Sequence, residues 1–193
     1  KFEKEEEFYK KLGMDWIPPE LREDAGEIEA AVSHKLPELV ELKDIKGDLQ
    51  IHSDFDIETS HDVGDSSMED IVRRADELGY EYLALTEHNP SKSKHKEEDI
   101  LNILKRKQEA VEKLNYSFVK RECKSVKKVF NSLEIDILPE RGLAIPEKGL
   151  TLLDFALVSI HSSFRLSRDQ MTKRVLSALA YPKVKIFAHP TAR

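Results

Sequence analysis

Four times in this chain a short apolar run ends in histidine. The runs are Leu49-Gln50-Ile51-His52, Tyr82-Leu83-Ala84-Leu85-Thr86-Glu87-His88, Phe155-Ala156-Leu157-Val158-Ser159-Ile160-His161 and Val184-Lys185-Ile186-Phe187-Ala188-His189. Each has the length and composition of a buried strand. In the first, the alternation places Leu49 and Ile51 on one face and Gln50 and His52 on the other. One strand-end histidine is ordinarily a hydrogen-bonded structural residue, but four strands delivering histidine at the same end ask for another reason. Helix-period segments lie between the runs. Met68, Ile71, Val72, Ala75 and Leu78 predict a helix over 67–78, with Ser66 or Ser67 as N-cap and Gly79 just past its end. Ile100, Ile103, Leu104, Val111 and Leu114 predict a long charged helix over 95–115, and a third is expected over 167–180. Strands alternating with helices make a parallel sheet, and right-handed units of this kind tend to close into a barrel. All strand C-termini then meet on one rim, where catalytic groups gather.

The other expected elements are less sharply marked. Strands are expected over 80–86, 132–138, 154–160 and 184–188, and residues 116–130 fit no single period. Residues 1–17 read as a helix stopped by Gly13, followed by a proline-fixed turn at Pro18-Pro19 and a short helix within 27–40, with Pro37 near its end. Nothing in residues 1–45 carries chemistry by itself, so 1–45 reads as an appendage and 46–193 as the functional domain.

Borderline and hard divalent cations take imidazole and carboxylate ligands, which is the donor set on this rim. His52, His88, Glu134, His161 and His189 are the candidate ligands and catalytic residues. The polar loop 53–66 adds Asp54, Asp56, Glu58, His61, Asp62 and Asp65, most of which read as solvated loop charge. Several metals held about 3.5–4 Å apart would bind phosphoryl oxygens and activate a water for attack on phosphorus. Lys92, Lys94, Lys96, Arg165, Arg168 and Arg193 leave the same rim and are candidate phosphate contacts. Cys123, the single cysteine, has no activating neighbour in sequence; its solitude excludes an internal disulfide and fits a reducing cytoplasm. The net charge of −6 argues against a uniformly basic nucleic-acid binder, although carboxylates around a metal site count as negative until metal binds. No apolar run approaches the roughly 20 residues of a membrane span.

These motifs, with Leu85-Thr86-Glu87-His88, Glu134-Ile135-Asp136 and Ala188-His189-Pro190-Thr191-Ala192-Arg193, resemble the successive motifs of the PHP (polymerase and histidinol phosphatase) superfamily. More narrowly, they resemble the PHP domain of bacterial X-family DNA polymerases. Leu12-Gly13-Met14-Asp15-Trp16-Ile17-Pro18-Pro19-Glu20-Leu21-Arg22-Glu23 resembles the end of that family's polymerase core. The resemblance implies an α/β fold, a distorted (β/α)7 TIM-like barrel left incomplete here, preceded by a short, mostly helical polymerase tail and linker over 1–45. It implies up to three divalent metals (Mn2+ first, Zn2+ or Mg2+ otherwise), DNA as partner, and removal of nucleotides from 3′ ends, with repair of abasic or blocked ends. The matching ligand positions are Gln50, His52, His88, Glu134, His161 and His189. Asp56, His61 and Asp62 compete for a loop ligand, with His61 or Asp62 preferred by their place before Gly64.

The sequence departs from the family at three places. Gln50 stands where histidine is usual, Glu87 where aspartate is usual, and the last Asp-x-His motif would lie beyond Arg193. The chain therefore reads as a monomeric fragment of a cytoplasmic enzyme, not competent alone. A histidinol-phosphatase-like enzyme for small phosphate esters and a non-catalytic structural module are the alternative readings.

Overall fold

The computed structural model describes residues 2–140 and 142–191. The chain divides into two compact units, one ending at Ile45 and the other starting at Lys46.

In the first unit, helix α1 (Glu5–Lys11) carries Glu5, Glu6 and Glu7 in its first turn and Lys10 and Lys11 in its last, matching the helix dipole. Glu5 accepts from Trp16 Nε1 at 3.0 Å and from Arg22 at 2.8 Å, and so ties the proline turn to the helix. Helix α2 (Glu27–Val32) is shorter than the expected segment over 27–40. Ser33 Oγ donates back to the Glu29 carbonyl at 2.6 Å and His34 takes a left-handed φ of 54°, so the chain turns before Pro37 is reached.

The second unit alternates strand and helix. Its elements are β1 (Gly47–Ile51), α3 (Met68–Glu77), β2 (Tyr82–Leu85), α4 (Glu97–Leu114), the single turn α5 (Lys120–Glu122), β3 (Lys128–Asn131), β4 (Glu134–Asp136), β5 (Ala156–Ser159), α6 (Arg168–Leu179) and β6 (Val184–Phe187). The strands form two three-stranded parallel sheets, β1-β2-β3 and β4-β5-β6, so the expected α/β class with parallel pairing holds. A parallel bridge between His88 and Glu134 links the extension of β2 to β4. The strand expected over 132–138 is the shorter β4, and β3 was not expected, because most of it lies in the stretch that fitted no period. A π turn at Asn115–Val119 interrupts the helical register there, and the Asn115 side chain bonds the β3 backbone at Val129.

Two apolar clusters hold these layers. Val72 and Ala75 of α3, Leu83 and Leu85 of β2, Val129 of β3 and Val111 and Leu114 of α4 form one; Ile100, Ile103 and Leu104 of α4 join Leu133, Ile135, Val158 and Val184 in the other. At 18 residues, α4 is about 27 Å long and reaches both. Gly47 is needed where β1 meets β2, because a Cβ there would fall 2.3 Å from the Tyr82 carbonyl oxygen. The alternation expected in β1 is broken by a register shift between Asp48 and Ile51. Ile51 packs on the first cluster, whereas Leu49 lines a separate apolar cavity with Tyr82, Phe130 and Phe155.

The turn from α5 into β3 is organised by Asp76 at the end of α3, whose carboxylate accepts from the amides of Lys124 (3.0 Å), Ser125 (2.7 Å) and Val126 (2.9 Å). Burial pushes this carboxyl up, but the three amides outweigh it and hold it below the usual range. Asp76→Asn keeps the shape and loses the charge. It is expected to destabilise the protein by about 1 kcal/mol at neutral pH. The wild-type advantage is full above about pH 4, where unfolded aspartate is ionised, and is lost as the pH falls through the lower folded-state pKa. Urea melts of both proteins at pH 7 and pH 3 test this, and an equal difference at both pH values would contradict it.

Candidate metal centre

The C-terminal tips of β1, β2, β4, β5 and β6 converge on one cavity of about 580 Å3. Gln50, His52, His61, Asp62, His88, Glu134, His161 and His189 all line it, together with Ile160 and Phe164. The structure thus brings these eight predicted residues to one place. The loop residues separate: His61 turns inward and Asp62 stands at the mouth, while Asp56 is spent on the Glu58 amide at 3.2 Å. Glu58 faces away, accepting from His95 and Arg106. Gly64 lets the loop return against β1, since a Cβ there would lie 2.1 Å from the His52 carbonyl oxygen.

Glu134 is the hub. It is 1% exposed, and its two oxygens collect four side chains. Gln50 Nε2 (2.8 Å) and His52 Nε2 (3.2 Å) meet Oε2; His189 Nε2 (2.7 Å) and His161 Nε2 (3.2 Å) meet Oε1. His189 reaches it from a left-handed φ of 29°. Burial pushes the Glu134 carboxyl up, but the bonds from His52, His189 and Gln50 outweigh it and hold it far below the usual carboxylate range.

Two residues that sequence reasoning left out of the site complete it. Asp136 bonds His161 Nδ1 at 2.7 Å and His61 Nε2 at 2.9 Å, which orients His161 with its other nitrogen toward the cavity. The signal was present, since Asp136 lies two residues after Glu134 on the same strand face. Asn89, just after His88, donates its amide to the Glu134 carbonyl (3.2 Å) and accepts the Asp136 amide on Oδ1 (2.8 Å), docking the β2 extension on β4. Buried Arg174 of α6 donates to the carbonyls of Ile137 (3.0 Å) and Ser162 (2.9 Å), the residues following Asp136 and His161. Glu87, which stands where aspartate is usual, is turned into the interior, where its Oε2 lies 2.8 Å from Lys107 Nζ.

Three overlapping groups have ligand atoms all within 4.8 Å of one another: His61, His88 and His161; His52, His88 and Glu134; and Glu134, His161 and His189. The donor set fits a divalent cation. His52 Nδ1 and His88 Nδ1 are buried with no hydrogen-bond partner, and the rings crowd, with His88 stacked at 4.6 Å on His52 and 4.5 Å on His61. No lysine or arginine is among the described lining residues, so the expected phosphate contacts from Lys92, Lys94, Lys96, Arg165 and Arg168 are not made in the cavity; Arg193 lies outside the described residues. The lining carboxylates, Glu134 and Asp62, repel a phosphate unless cations lie between.

No family model matches the chain. Compared with curated proteins, it is 34% identical over 194 aligned positions to the Bacillus subtilis (strain 168) protein named DNA polymerase/3′-5′ exonuclease PolX. This chain is a relative of PolX. The match takes in 100% of this chain and 31% of PolX, so the chain spans less than a third of that relative's length. The candidate site and the first unit both lie within the matched stretch.

The histidines are held in different protonation states. Burial, reinforced by the neighbouring His52, His61 and His161, pushes His88 down to about 4. The hydrogen bond to Glu134 raises His52 above its ordinary value. In chelator-treated protein, NMR titration is expected to find the His88 ring titrating near pH 4 and the His52 ring above 6.5. Between pH 6.5 and about 4 unfolded histidine takes a proton that folded His88 refuses, so this residue makes the metal-free chain less stable as the pH falls through that window. A His88 ring titrating at an ordinary pH would mean that the packing around it is looser than described.

Proposed function

We propose that residues from Lys46 onward form a PHP-type, metal-dependent phosphoesterase on an incomplete distorted (β/α)7 barrel. Residues up to Ile45 are then the end of an X-family polymerase core and its linker. The reaction is hydrolysis of phosphodiester bonds at DNA 3′ ends. The observation that carries this reading is the set of three overlapping His/carboxylate groups around one cavity, each sharing a residue with the next. The cavity's volume suits a nucleotide-sized ligand. The similarity to a protein named as both polymerase and 3′-5′ exonuclease supports the substrate class.

In this reading His52, His61, His88, Glu134, His161 and His189 hold the cations, with Gln50 and Asp62 beside them; Mn2+ suits the mixed imidazole and carboxylate donors. Bound divalent cations supply charge that draws in a phosphoryl group and lowers the pKa of a water. The protein's own part is to orient and to exclude water. Asp136 fixes the His161 ring, Glu134 keeps its negative charge at any physiological pH, and neutral His88 offers a lone pair without first losing a proton. Ile160 and Phe164 give the cavity an apolar wall against which the non-reacting part of a nucleotide packs. One observation favours the non-catalytic alternative: Gln50 points an amide donor at Glu134, where a ligand would present a lone pair.

The test uses the full-length protein with 5′-labelled primer-template DNA, Mn2+ and no dNTPs. Stepwise shortening from the 3′ end is expected, and His52→Ala/His161→Ala should reduce it by about a hundredfold or more, since losing a residue that only orients a ligand already costs roughly 10–100-fold. Absence of shortening by the unsubstituted protein would move the assignment to the structural module.

A further inference from the structure

Lys107 is a charged residue in an apolar stripe. It lies in the middle of α4 at helical spacing from Ile103, Leu104 and Val111, all of them core residues, and it is fully buried. Its ammonium has three protons and four oxygens around it: Leu85 O at 2.9 Å, Asn131 Oδ1 at 3.0 Å, Ser132 O at 2.5 Å and Glu87 Oε2 at 2.8 Å. The other oxygen of Glu87 accepts from the Ser53 amide at 3.2 Å and the Ser53 hydroxyl at 2.5 Å. Three of these anchor points lie within two residues of a site residue. Ser53 follows His52, Glu87 precedes His88, and Ser132 lies two residues before Glu134. Among the described residues, no hydrogen bond or ion pair joins Lys107 or the Glu87 carboxylate to His61, His161 or His189.

We propose that Lys107 is a positioning residue for one cation. Through Glu87 and the carbonyls of Leu85 and Ser132, it sets the spacing of His52, His88 and Glu134. The proposal rests on the metal-centre reading above. It differs from a purely structural role for the ion pair, because a buried pair replaced by apolar residues of similar size commonly leaves stability unchanged or improved. A positioning role, in contrast, is lost with the pair. Ligand partners of this kind typically contribute 10–100-fold to metal affinity.

The two roles are separated with Co2+ as probe, read by its visible absorption, in the full chain. His161→Ala disrupts the other two ligand groups and leaves His52, His88 and Glu134 as the one complete group of the three. In that background, Lys107→Met/Glu87→Met is expected to melt within a few degrees of its parent but to bind Co2+ about tenfold or more weakly. In a His52→Ala background the two remaining groups each keep only one of the positioned residues, His88 or Glu134, so the same pair of substitutions should weaken Co2+ binding distinctly less there. Ser53→Ala, which leaves the ion pair whole, provides a gentler variant should the double substitution not fold; it should weaken Co2+ binding most in the His161→Ala background. Unchanged affinity there in either folded variant would overturn the proposal. A failure of the unsubstituted chain to bind Co2+ at all would instead sink the metal-centre reading, and this inference with it.

Discussion

The site depends on a carboxylate that is buried and still ionised. Glu134 has lost almost all contact with solvent, yet four side chains from three other strand tips aim at its two oxygens. Burying a carboxylate without partners is costly enough to force it to take up a proton. Here Gln50, His52, His161 and His189 supply the compensating donors, which means the strands bearing them must end at the same level. The parallel pairing of β4 with β5 and β5 with β6 sets that level on one side, and the bridge from His88 to Glu134 sets it on the other. The imidazoles that satisfy Glu134 in the metal-free state are the groups proposed to turn toward cations.

Much of this was legible in the sequence because it depends on periodicity. An apolar run ending in histidine gives both a strand and the end of it that matters, and four such runs give a shared rim. The helices of the second unit were equally plain: Ser67 accepts from the Asp70 amide and Gly79 takes a φ of 77°, as a cap and a terminator should. What the pattern could not give was anything settled by contacts across the chain. The strand Lys128–Asn131 hid in a segment of mixed charge because its partner is β2 and its turn is pinned by Asp76. Asp136 looked like one more strand carboxylate until His61 and His161 were seen to meet it.

Glu87 and Lys107 show the limit most clearly. No sequence pattern joins a lysine within a long helix to a glutamate before a strand-end histidine; the two find each other across twenty residues and leave the histidine to its neighbours. Gln50 is the converse case. In sequence it is a weak ligand where a strong one is usual; in the fold it keeps a donor on Glu134, so the hub retains its full set of partners.

Helix α4 belongs to both apolar clusters, with Ile100, Ile103 and Leu104 in one and Val111 and Leu114 in the other. A helix shared in this way makes cooperativity a property of the architecture. Neither half of the strand set can loosen without exposing part of the helix that the other half packs against, and Lys107 sits at the junction. Opening events large enough to release a strand tip are therefore coupled to melting of the whole unit. The rim is thereby tied to the core beneath it, which is what the proposed centre, with like-charged cations at fixed spacing, would require.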